Sequence, residues 1–104
     1  MDAAHYVRNL ANFEDTETTL KEMCKYAKKN KARSIVVYQH NNTRSYIEVY
    51  FTAVMYAHEF DTYNAAVDFL ESTKAFKGMQ ASVRIFGQKT ETVVNCGISL
   101  ERIE

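Results

Sequence analysis

The stretch Tyr46–His58, YIEVYFTAVMYAH, contains no glycine, no proline and no turn dipeptide. Its odd positions are Ile47, Val49, Phe51, Ala53, Met55 and Ala57; its even positions are Tyr46, Glu48, Tyr50, Thr52, Val54, Tyr56 and His58. This alternation predicts a strand with the odd set facing the core and the even set facing out. Begun at Arg44, the strand has fifteen residues and would extend about 50 Å. A compact domain of this length is only about 35 Å across. The strand must therefore bend or break near Thr52–Ala53, or project and pair with something else. A second copy of the chain, or a target protein, is the simplest such partner; the first predicts a homodimer.

The flanking segments fill in the fold. Ser34–His40, SIVVYQH, is rich in β-branched residues and reads as a strand, joined to the long one by a turn at Asn41-Asn42. Downstream, DTYNAAVDFLESTKAFKG reads as a helix capped by Asp61 or Thr62 and closed by Gly78. Its apolar stripe is Ala66, Phe69, Leu70 and Thr73. MQASVRIF then alternates, with Met79, Ala81, Val83 and Ile85 inward. After a turn over Gly87–Thr90, ETVVNCGISL returns as a last strand with Val94, Cys96, Ile98 and Leu100 inward and Gly97 at a bulge or close approach. Upstream, HYVRNL is a first strand. NFEDTETTLKEMCKYAKKNK reads as a helix capped by Asp15 or Thr16, with Leu20, Met23, Cys24 and Ala27 as its stripe.

The element order predicts one α+β domain over residues 1–104. Its expected form is a β-α-β-β-α-β split sandwich of ferredoxin-like type with an extra C-terminal strand, two helices covering one face of an antiparallel sheet. A fainter echo links FEDTETTLKEM…SIVVY with FDTYNAAVDFL…SVRIF, as an internal duplication would.

Two segments resemble the signatures of RNA-recognition-motif domains. Tyr6-Val7-Arg8-Asn9-Leu10 matches that family's first-strand motif at all but its first position. Arg44, Tyr46, Val49 and Phe51 match its third-strand motif, and Ala65-Ala66-Val67-Asp68-Phe69-Leu70 sits where its second helix has alanine and apolar residues. The resemblance spans residues 5 to 86 and implies a ferredoxin-like sheet with a face that stacks bases. Glu48 departs from it, placing an anion at a stacking aromatic position, and the nine residues between Phe51 and Asp61 make a longer connection than the family has.

Composition narrows the function. The chain has 104 residues, 46% hydrophobic and 25% charged, with thirteen basic and thirteen acidic side chains. That balance does not point to bulk duplex nucleic acid. Cys24 and Cys96 lie far apart with no zinc-type spacing and are expected to be buried free thiols in a reducing, cytoplasmic setting. The polar, mixed first residues suggest no signal peptide, and no apolar run is long enough to span a bilayer. No metal site, cofactor motif, phosphate loop or activated nucleophile is evident, so a non-enzymatic role is expected.

The leading candidate surface is the outward sheet face, with Tyr6, Arg8, Tyr38, Tyr46, Glu48, Tyr50, Tyr56 and Arg84 as partner-binding residues. Tyrosine supplies contact area at low entropy cost, although it is also simply a good strand former. Lys25, Lys28, Lys29, Lys31 and Arg33 form a possible basic patch that also suits a helix C-terminus. His58, Glu59 and Asp61 are the one acid/base grouping that can be drawn; His5 and His40 have no metal spacing with His58. The expectation is a small binding protein working through protein contacts, similar in style to the regulators and inhibitors made by phages and mobile elements. The alternative is a single-stranded RNA or DNA binder using the tyrosines, disfavoured by neutral charge and Glu48.

Overall fold

The computed structural model describes residues 4–101. The chain runs β1 (His5–Asn9), β2 (Asp15–Glu17), α1 (Leu20–Ala27), β3 (Ser34–Asn41), β4 (Arg44–Tyr50), β5 (Val54–Phe60), α2 (Tyr63–Ser72), β6 (Gln80–Ile85), β7 (Gln88–Asn95) and a one-turn α3 (Ile98–Glu101). All seven strands join one sheet in the order β2-β1-β5-β4-β3-β6-β7. Every pairing is antiparallel except β3 with β6, which is parallel. The expected ferredoxin-like split sandwich on an antiparallel sheet with an extra C-terminal strand is therefore replaced by a mixed, seven-stranded sheet.

The largest departure is in the opening stretch. The long strand breaks at Thr52–Ala53, where the Phe51 N–H donates to the Val54 carbonyl at 2.9 Å, and β5 folds back along β4. The strand too long for its domain pairs with itself, which removes the geometric reason for an outside strand. The reversal also switches faces. Across the hairpin Val49 opposes Tyr56 and Ile47 opposes His58, while Glu48 opposes Ala57 and Tyr50 opposes Met55. A two-residue reversal pairs odd positions with even ones, and directly opposed residues share a face. The inward set is thus odd in β4 and even in β5. Tyr56 and His58, expected outside, are buried on the core side; Met55 and Ala57, expected in the core, belong to the other face.

Other boundaries shift for local reasons. Asp15 and Thr16 are in edge strand β2 rather than at a helix cap. The α1 N-cap is Thr19, whose hydroxyl accepts from the Glu22 N–H at 3.1 Å. Thr62 caps α2 in the same way through the Ala65 N–H, and that helix ends at Ser72 rather than at Gly78. In the β3–β4 turn the Asn41 side chain accepts from the Thr43 N–H at 2.9 Å. The β6–β7 turn is Phe86-Gly87, both at positive φ. β7 ends at Asn95, so the expected C-terminal strand stops short of Cys96. Gly97 does mark a close approach: a Cβ there would lie 2.8 Å from Lys77 Cβ.

Both longer helices lie on the inward face. Met23 of α1 and Ala66 and Leu70 of α2 join Ile35, Val37, Ile47, Val49, Phe51, Phe76, Ala81 and Val83 in one core. Tyr26 meets Phe51 edge-on at 4.8 Å between centroids and tilts against Tyr56 at 5.6 Å. His58 stacks on Tyr56 and approaches His5, Nδ1 to Nδ1, at 3.2 Å. Burial, then the neighbouring His5 charge, pushes its pKa down to about 4. Cys96 is buried, its thiol pushed up to about 11 by desolvation, whereas Cys24 is only half-buried and faces Thr73; both are free. No described helix is long and apolar enough to cross a membrane.

Candidate functional site

With both helices on one side, no described element covers the other face of the sheet. Register places its side chains. Tyr6 opposes Ala57, which opposes Glu48, which opposes Val36 and then Ser82. In the next row Glu59 opposes Tyr46, then Tyr38, then Arg84. On the other side Arg8 opposes Met55, which opposes Tyr50. Seven of the eight expected partner-binding residues, Tyr6, Arg8, Tyr38, Tyr46, Glu48, Tyr50 and Arg84, therefore share one surface. The eighth, Tyr56, is 7% exposed on the opposite face.

The surface is organised as arginine–tyrosine pairs. Arg8 lies over Tyr6 at 5.4 Å, Arg44 over Tyr46 at 5.4 Å and Arg84 over Tyr38 at 5.9 Å. Two of these arginines are neutralised. Arg8 grips Asp15 with both a 2.7 Å and a 3.0 Å contact and holds that carboxyl below its ordinary range. Arg44 bonds Glu59 at 2.8 Å and also reaches the Tyr46 hydroxyl. Arg84 has no acidic partner among the described residues, and its buried Nε has no hydrogen-bond acceptor there.

Glu48 sits at the centre. The Tyr50 hydroxyl donates to it at 2.6 Å, and the Tyr38 phenol is near enough to feel its charge. Desolvation first, and Glu48 second, push the Tyr50 and Tyr38 pKa values up; desolvation raises that of Tyr6. These phenols stay protonated and serve as donors and neutral ring surfaces. Tyr6, Tyr38, His40, Tyr46, Glu48 and Ala57 line a depression of about 280 Å³, with Gln39 and Gly87 at its border. Met55 and Ala57 are buried at 5% and 3% although they lie on this face. The larger side chains cover them, and Ala57 gives the depression an apolar floor.

No protein-family model matches this chain, nor does any curated protein or solved structure. The reading therefore rests on the geometry.

The other candidates separate. Lys28, Lys29 and Lys31 border a groove of about 390 Å³ with Phe76, Lys77 and Met79, at the C-terminal end of α1. Lys25 is in that helix's last turn and Arg33 is exposed just before β3. This patch belongs to the helix layer, on the far side of the sheet from the tyrosines. His58 and Glu59 point to opposite faces, which dissolves the acid/base grouping with Asp61. Among the described residues no three His, Cys, Asp or Glu side chains gather as a metal site would need. The sequence reading missed Arg44, His40, Ala57 and Met55. Arg44 was findable, being two residues before Tyr46 on the same strand face; Ala57 and Met55 were hidden by the parity switch.

Proposed function

We propose that this is a non-catalytic binding protein that docks a protein partner through the tyrosine-lined sheet face, as a small regulator or inhibitor of a larger assembly would. The observation that carries this reading is the convergence of Tyr6, Tyr38, Tyr46 and Glu48 from three strands around one depression, with Tyr50 beside it, on a face that no described element covers. Tyrosine and arginine are the residue types enriched where interfaces carry their binding energy. The phage- or mobile-element-type role rests on size and on the lack of enzyme motifs.

The nucleic-acid alternative draws on the same rings but is less well served. A single-strand binder combines stacking aromatics with cations along the same groove. Here the Lys28–Lys31 group lies on the helix layer, Lys89 is out beside Arg84 at the far end of the face, Arg8 and Arg44 are bound to carboxylates, and Glu48 occupies the centre.

Affinity capture from the native host, with and without nuclease, tests the proposal when wild type is compared with Tyr46→Ala. A protein retained after nuclease and lost with Tyr46→Ala is the expected result. A partner released by nuclease, or held equally by Tyr46→Ala, overturns it. Sedimentation of the purified chain shows whether the partner is a second copy.

A further inference from the structure

We infer that the depression on the sheet face receives an arginine side chain of the protein partner, an inference that rests on the docking role proposed above. The first argument is charge. Of the other carboxylates on this face, Asp15 and Glu59 are each held by an arginine, while Glu17 sits exposed on edge strand β2 opposite Tyr6. Glu48 is half-buried and accepts a hydrogen bond from the Tyr50 phenol, yet no cation among the described residues comes within ion-pair reach of it. A partly desolvated carboxylate satisfied only by neutral donors gains most from an incoming cation.

The second argument is the wall material. Tyr6, Tyr38 and Tyr46 surround the carboxylate with ring surfaces that attract cations. The face already seats three guanidinium groups on tyrosines, at 5.4, 5.4 and 5.9 Å. The two flanking Tyr6 and Tyr46 are held by carboxylates, and Arg84 lies beyond Tyr38 on β6, so none of the three forms an ion pair with Glu48.

The third argument is shape. Ala57, between Tyr6 and Glu48 across the strands, supplies depth that a larger side chain would fill. A planar guanidinium both stacks on a ring and forms a forked bond to a carboxylate. An ammonium forms a point contact and leaves more of a 280 Å³ space empty.

The test is a nuclear magnetic resonance titration of the intact chain with N-acetyl-arginine amide, and in parallel with its neutral citrulline counterpart. The expected result is saturable shifts at the Tyr6, Glu48 and Ala57 amides in the millimolar range usual for a fragment. Citrulline should bind about tenfold more weakly, and Glu48→Gln should abolish the difference, as follows if the ion pair carries about 1.4 kcal/mol. Equal shifts from both probes, or none from the arginine probe at these residues, overturns the inference, and that comparison needs no variant to fold. The docking role fails separately: partner capture that depends on Tyr46 but is unchanged by Glu48→Gln removes the arginine and keeps the role. Capture indifferent to Tyr46 removes the role.

Discussion

Tyr56 and Tyr46 stand on neighbouring strands of one sheet and do opposite work. Tyr56 is wedged against Tyr26 and Phe51, stacked by His58, under the helices. Tyr46 lies half-buried on the other face, its hydroxyl held by Arg44, which also grips Glu59, and its ring beneath a guanidinium. Residue type does not distinguish them. The reversal at Thr52–Ala53 does, because it exchanges which parity faces the core. One face is closed by apolar packing; the other is closed only by side chains bonding to one another, and can open to a partner.

That contrast sets the sizes of its tests. Phe51→Ala, on the helix side, should cost about 3–5 kcal/mol in urea unfolding, because Phe51 is 2% exposed and no neighbour can fill the space. A cost below about 1 kcal/mol would mean that the two faces are not as different as they look.

Acid should also act through the closed face. His58 titrates near 4 when folded and near 6.5 when unfolded. Protonation therefore favours the unfolded chain, and stability is fully present above about pH 6.5 and falls as pH drops toward 4. Between pH 7 and pH 5 the loss should be about 2 kcal/mol. His58→Phe should flatten the urea midpoint across that window. The carboxyls of Asp15 and Glu59, held low by arginines, act at lower pH.

On the open face, Tyr46→Ala should shift stability by less than about 1 kcal/mol while weakening partner retention, as read by urea unfolding and capture side by side. A large loss of stability with unchanged capture would make this face structural. The smallest effect belongs to its corner. Phe86 is 60% exposed with φ of 51°, in a two-residue turn before Gly87. Asparagine suits that conformation better, so Phe86→Asn should raise stability by about 0.5 kcal/mol. A simultaneous loss of partner binding would add the ring to the contact surface.

Much of the site was readable because each strand's alternation is a local property. Tyr6 and Arg8, Tyr46, Glu48 and Tyr50, and Tyr38 each lie two apart or opposite in register, and the pattern put them on one face without knowledge of strand order. Strand order was less readable. Thr52-Ala53 lacks glycine, asparagine and proline, so the hairpin was visible only through the strand's excessive length. Asp15–Glu17 is polar and short, and became a strand by pairing with Tyr6, Val7 and Arg8, a non-local event that outweighs its helix-cap composition. Cys96 and Ile98 kept an alternating pattern, but Gly97 turns the chain against Lys77.

The sheet is assembled from three contiguous pieces: the β1–β2 hairpin, the β3–β4–β5 meander and the β6–β7 hairpin. Only two seams join them, β1 with β5 and β3 with β6, and each closes a long stretch of chain, which makes it slow to form. The tyrosine depression straddles both seams, drawing Tyr6 from one hairpin, Gly87 from the other and the rest from the meander. A partner seated there acts as a cross-brace. It should slow amide exchange along the whole of β1 and β6, beyond the residues it touches there, because the free energy of binding is added to the opening of either seam.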